Sequence, residues 1–224
     1  MLRSLFPDYS KAGPGIDRNA PKKTGIPLFI ETLRREFTTL LKLNLIFLVS
    51  CLPIITIGPA IGGMTYVTLK MVRDKPVDIY YDFKQGFKKN WKQSFGLGII
   101  GGLITITLIC AFLFYLQLEG SAYYCMMFIV ELTTVIMGIA WIYIYPLAIG
   151  IDLKLNQIIK DSFILSIGHI KHSIIVFFTC SLIMGITVMF LPMSVPILLV
   201  FSFSFCSFIS SFCAWSGIEK DIIK

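Results

Sequence analysis

Four long stretches of this chain carry almost no charge: Leu43–Leu69, Ser94–Leu118, Gly120–Ile151 and Ser173–Ile218. A helix needs about 20 such residues to cross the hydrocarbon core of a bilayer. The chain therefore reads as an all-α, polytopic membrane protein. Composition agrees, because 56% of the 224 residues are hydrophobic and 15% charged, whereas soluble domains run nearer 45–50% and about 25%.

The second and third stretches each suit one span. The fourth is about twice too long for one helix, and Leu191-Pro192-Met193-Ser194-Val195-Pro196 breaks it near the middle. Two prolines so close remove backbone donors and favour a turn, so this stretch reads as a helical hairpin. The first stretch contains Pro53-Ile54-Ile55-Thr56-Ile57-Gly58-Pro59, which should end one helix and start another.

Charge separates the readings of that first stretch. Of the 20 Lys and Arg, seven precede Thr38, Lys42 follows, and seven fall between Lys70 and Lys92. Three lie between Lys154 and Lys171, and Lys220 and Lys224 complete the set. The connections around Pro53–Gly58, Gln117–Ser121 and Leu191–Ser194 carry none. Basic loops stay cytoplasmic, so an even number of crossings is expected between the N-terminus and the Lys70–Lys92 loop. Six spans satisfy this, as three hairpins near 37–53, 57–72, 94–117, 122–149, 173–191 and 195–215, after a polar segment 1–36. A re-entrant hairpin at Pro53 would leave the same loops inside. The expected location is the cell membrane, with both termini cytoplasmic. Residues 1–25 have no apolar core, so no cleavable signal peptide is expected. The net charge of +7 fits orientation and anionic lipid rather than nucleic acid.

Two polar segments precede hairpins and resemble each other: Asp82, Lys92 and Ser94 align without a gap on Asp161, Lys171 and Ser173. Phe83, Phe87 and Trp91 recur at helical spacing opposite a lysine-rich face, so Asp78–Gln93 is expected to be an amphipathic interfacial helix. Asp152–His172 is its counterpart. Candidate partner-docking residues are Asp82, Phe83, Phe87, Asn90 and Trp91 on the first segment, and Asp161 and His169 on the second.

Glu131 is the one carboxylate inside an expected span. A carboxylate there costs several kcal/mol unless neutral or paired. Its expected partners are hydroxyls such as Thr133, Thr105 or Thr107, serving either a proton or substrate site or plain interhelical bonding. Gly58 with Gly62, and Gly98 with Gly102, have the GxxxG spacing that lets helices approach. Ser204, Ser207 and Ser211 form a small polar stripe beside Phe201, Phe205, Phe208 and Phe212. The six cysteines lie in apolar stretches without a CxxC pair and read as small hydrophobes. His169 and His172 lack a third ligand in reach, so no metal is expected. There is no Walker A, GxSxG or HExxH motif. Neither a catalytic activity nor a cofactor is expected.

Several strings carry a family resemblance: Pro14-Gly15-Ile16, Asn19-Ala20-Pro21-Lys22-Lys23, Lys42-Leu43-Asn44-Leu45, Leu52 to Ala60, Thr65-Tyr66, Arg73-Asp74, Asp82-Phe83 and Phe87 to Ser94. Over residues 14–94 the chain resembles the YesL family of bacterial membrane proteins, and beyond that only in hydropathy. The resemblance implies an accessory component of carbohydrate uptake beside oligosaccharide ABC importers, with no established catalytic residues to carry over. The expected function is thus an accessory or assembly subunit, with lipid and the permease subunits of a sugar importer as partners. Self-association is also open to it. The rival is a small autonomous transporter or channel whose path uses Glu131 and the broken Pro53–Pro59 segment. Asn44, Pro53, Thr56, Gly58, Pro59, Tyr66 and Glu131 form the candidate functional set.

Overall fold

The computed structural model describes residues 25–221, leaving out 119, 152, 191–192 and 196–197 and the side chains of 121 and 122. The N-terminal strings of the resemblance and most of the proline turn at 191–196 lie outside the described residues. Among the described residues all regular structure is helical. In chain order it comprises α1 (Ile26–Arg35), α2 (Phe37–Ser50), a 3-10 turn (Ile54–Thr56), α3 (Ile57–Val72), α4 (Ile79–Lys89) and α5 (Trp91–Leu116). There follow α6 (Ser121–Gly150), α7 (Leu155–Gly168), α8 (Ile170–Met189), a π-helical turn (Leu198–Ser202) and α9 (Phe203–Asp221).

Four of these helical stretches, Trp91–Leu116, Tyr123–Gly150, Ile170–Met189 and Leu198–Lys220, are long and apolar enough to cross a membrane. The two arms of the first hairpin are shorter. α2 has 14 residues and α3 has 16, or about 21 and 24 Å at 1.5 Å per residue, against about 30 Å of hydrocarbon. The chain breaks where the prolines predict: α2 ends at Ser50, and Thr56 Oγ1 donates to the Ser50 and Pro53 carbonyls at 2.5 and 2.6 Å.

The packed interior gathers at one end. One cluster joins Leu97, Tyr143, Leu147, Ile158, Ala214 and Ile218, and the other joins Leu40, Leu43, Ala60, Met64, Val67, Phe83 and Phe208. The basic connections meet at the same end: Arg73 stacks on Trp215, and Gly217 lies against His169. Beyond Gly98, by contrast, α5 buries only Gly101, and the first half of α6 buries nothing described. Leu103, Ile106, Phe114, Phe128 and Ile129 are all more than half exposed. The α5–α6 hairpin therefore projects as an apolar arm from a packed base.

The segment ahead of the first hairpin holds a helix that the polar composition of 1–36 concealed. Pro27 sits in the first turn of α1, and Phe29 faces inward, with its ring centroid 5.3 Å from Phe208 and 5.2 Å from Phe212. That contact also turns the phenylalanine stripe of α9 inward at Phe208, which is fully buried.

Both polar segments are helical, but only α4 is clearly amphipathic, because α7 buries Ser162 and Ser166 while Ile164 and Ile167 are exposed. Each sits between longer helices, as α3–α4–α5 and α6–α7–α8, so the aligned residues occupy equivalent positions in two similar units. The apolar face of α4 packs against α3: a Cβ on Gly86 would meet the Tyr66 side chain, and one on Gly63 would lie 2.9 Å from the Phe83 carbonyl.

Candidate functional site

Three polar arrangements organise the base. The first surrounds Asn44, which is fully buried on α2. Its Nδ2 donates to the carbonyls of Leu198 and Leu199 at 3.1 and 2.6 Å, while its Oδ1 accepts the Ser204 amide N–H at 2.9 Å. The π-helical turn ahead of α9 breaks the regular ladder, and backbone groups freed inside lipid must find partners. A primary amide offers both donors and an acceptor, so Asn44 serves carbonyls at the start of the π-helical turn and an N–H just past its end. Deeper along the same interface, Thr68 Oγ1 lies 2.8 Å from Ser211 Oγ and 3.4 Å from Ser207 Oγ. The small polar stripe of α9 thus faces α3.

The second arrangement is the crossing of α3 over α5. A Cβ on Gly58 would collide with the Ser94 carbonyl and stand 3.1 Å from Gly98 Cα, while one on Gly62 would stand 2.6 Å from Ser94 Oγ. The contact therefore joins Gly58 and Gly62 to Ser94 and Gly98. Gly102 has open space around it, so only half of the second GxxxG spacing is used. Ser94 Oγ and Tyr145 Oη are buried beside this crossing without a partner among the described residues.

The third is the basic end. Asp82 is 1% exposed. It accepts from Lys70 Nζ at 2.7 Å and from the Asp78 amide at 2.9 Å. Asn90 Nδ2 donates to the Ala148 carbonyl at 3.0 Å and Gln93 Nε2 to the Leu153 carbonyl at 2.8 Å. The α4–α5 elbow therefore caps the C-terminal end of α6, where helical carbonyls lack intrahelical partners. Pro146 inside α6 removes one further bond.

These contacts redirect the expected docking face. Asp82 and Phe83 are buried, and Phe87 and Trp91 are half-buried in a ring series that continues to Phe95. Asn90 is committed to α6. The exposed face of α4 is instead Tyr80, Tyr81, Lys84, Lys88 and Lys89. On the second segment Asp161 and His169 are half-buried, and His169 lies against Gly217. His172 is exposed, and no cluster of three metal-ligating side chains occurs among the described residues.

Within the functional set, Asn44 lies at the clamp, and Gly58 and Pro59 are buried at the α3–α5 crossing. Pro53 is exposed at the hairpin tip beside Leu52 (80%) and Ile54 (82%). Tyr66 is half-buried, and its Oη donates to Gln85 Oε1 at 3.2 Å. Glu131 stands apart from all of these. It lines an open apolar cleft of about 660 Å³ between α5, α6 and α8, with Thr105, Thr134, Trp141, Phe177 and Phe178. Thr107 and Thr133 do not line this cleft, and their hydroxyls donate to Leu103 and Ile129 on their own helices at 2.9 and 2.8 Å. Thr105 shares the cleft. The structure brings Asn44, Gly58, Pro59 and Tyr66 into the base and leaves Glu131 alone on the projecting arm.

Arg73, Tyr145 and Pro146 belong to this architecture, and sequence reasoning passed over them as functional positions. Arg73 carried a signal, being a cation next to an apolar stretch, whereas nothing local marked the burial of Tyr145.

No curated protein and no solved structure matches the chain. A family model described as a protein of unknown function, DUF624, matches residues 40–115. That segment contains the Asn44 clamp, the Gly58–Gly98 crossing, the Lys70–Asp82 pair and the elbow at Asn90. It is the part of the chain with a demonstrated family likeness, to DUF624.

Proposed function

We propose that the chain is a non-catalytic accessory subunit that packs in the membrane against the permease subunits of an oligosaccharide importer. One observation carries this reading: Glu131 sits exposed in a cleft on the apolar α5–α6 arm. A carboxylate facing hydrocarbon is costly, and a partner helix carrying a donor would relieve it while covering the cleft. Without a hydrophobic driving force between helices in lipid, such polar contacts and close packing hold assemblies together. The sugar-importer context comes from the YesL resemblance, and the DUF624 match is to the family model that covers such proteins.

In this reading the basic end faces the cytoplasm, following the placement of Lys and Arg. The α2–α3 hairpin enters and leaves on that side. Its tip is apolar, and Thr56 shares its hydroxyl proton between two carbonyls of the turn, which suits hydrocarbon rather than water. The autonomous-transporter reading would need Glu131 and the Pro53–Pro59 segment on one path, and that segment does not line the cleft that holds Glu131.

Affinity purification from native membranes in mild detergent tests the proposal. The account expects permease subunits to co-purify with the wild type and to be lost, by about tenfold, with Glu131→Leu. Recovery of the wild-type chain alone contradicts it.

A further inference from the structure

The C-terminal end of α3 closes in a way that gathers cations. The Asp74 amide donates to the Met71 carbonyl at 3.1 Å and the Lys75 amide to the Lys70 carbonyl at 3.0 Å. This is the pair of bonds that defines a Schellman turn. It places Asp74 in the left-handed region, at φ 54°, and folds Lys75 back beside Lys70. The result is a pocket of about 240 Å³ lined by Lys70, Arg73, Lys75, Tyr66, Ile149 and Gly150. Three cations and no carboxylate line it. Asp82 neutralises Lys70 from the α4 side, and Asp74 is turned to Arg35 at 2.7 Å.

Arg73 is the decisive member. Its guanidinium lies 3.6 Å from the centroid of the Trp215 ring, which fixes the plane and leaves the edge donors free. Nη2 points toward Gly150, where a Cβ would stand 3.6 Å away, and Nε is buried with no acceptor among the described residues. Cations at a helix C-terminus also complement the helix dipole, but that leaves a buried N–H without a partner, which is costly. Glu219 on α9 acts on Arg73 only through space and is itself exposed. An oxyanion in the pocket would accept from the terminal Nη donors of Arg73 and from Lys70 and Lys75 together.

We infer that the pocket formed by Lys70, Arg73 and Lys75 at the junction of α3, α6 and α9 binds a phosphate group. Anionic lipid headgroups and soluble phosphate share this chemistry. Basic pockets between helices are suited to the first.

The test uses the full chain in detergent, with two arms. Native mass spectrometry compares retention of phosphatidylglycerol and phosphatidylcholine, and thermal unfolding compares added inorganic phosphate with chloride at equal ionic strength. Arg73→Gln and Lys75→Gln probe the pocket. Lys75 is exposed, so its variant keeps the fold, and Lys88→Gln on the outer face of α4 is the control. A preference for phosphatidylglycerol that drops about tenfold in Arg73→Gln and several-fold in Lys75→Gln, but not in Lys88→Gln, supports a lipid phosphate. Stabilisation by inorganic phosphate in the wild type, lost in both pocket variants and without lipid preference, supports a soluble one. Equal retention of both lipids, with the same phosphate response in the wild type and Lys75→Gln, overturns the inference.

Discussion

Asn44 Oδ1 accepts the backbone N–H of Ser204 at 2.9 Å, joining residues 160 positions apart at the break that precedes α9. With the two bonds its Nδ2 donates, one side chain serves both ends of the π-helical turn. Asn44→Leu replaces the amide by a larger apolar branch and removes three hydrogen bonds to backbone. At about 0.5–1.5 kcal/mol for each bond, the expected loss is roughly 2–4 kcal/mol, read as a lowered midpoint in detergent unfolding. Asn44→Asp keeps the acceptor and loses both donors, so it should be no better than the leucine variant.

The α3–α5 crossing separates two glycine motifs that look alike in sequence. Gly58→Ala drives a methyl into the Ser94 carbonyl, a backbone group that cannot step aside. The expected cost is about 1–3 kcal/mol of overpacking. Gly102→Ala meets open space and gains helix propensity, by up to about 1 kcal/mol. Opposite signs in thermal unfolding are the prediction, and equal effects would show that the helices do not cross at Gly58.

Asp74 occupies a left-handed position that a β-branched residue tolerates poorly. Asp74→Val should destabilise by roughly 1–2 kcal/mol. Asp74→Gly should be nearly neutral, because the relief of backbone strain offsets an exposed ion pair to Arg35 that is worth about 0–1 kcal/mol. Comparison of the two midpoints checks the Schellman geometry that brings Lys75 to Lys70.

Ile54 tests the depth of the first hairpin. With arms of about 21 and 24 Å and an apolar tip, Ile54→Cys in a background without other cysteines should resist a membrane-impermeant maleimide added from outside. Rapid labelling from outside would mean that both arms cross completely.

Hydropathy and proline placement made much of the fold legible. They located the four long spans, the break after Ser50 and the amphipathic α4, because each rests on local periodicity or a missing backbone donor. What a face packs against is not local information. The Phe83, Phe87 and Trp91 stripe identified α4 as amphipathic, yet only the tertiary structure has α3 covering it. The same limit applies to Asn44, whose partners lie in the last third of the chain, and to GxxxG spacing, which does not say which glycine meets a neighbour. α1 escaped notice because seven basic residues before Thr38 outweighed the inward-facing Phe29. Glu131 was visible because a carboxylate among apolar residues is an anomaly of composition, and it is also the residue on which the functional account rests.

That account is tested most directly by site-specific photo-crosslinking. A benzophenone amino acid at position 131, within the cleft of α5, α6 and α8, is activated in native membranes, with position 88 as the control. The prediction is a discrete protein adduct at 131, absent at 88, containing an importer permease subunit. A chain that inserts normally but crosslinks at 131 only to lipid would contradict the proposal that this face is built to receive a partner.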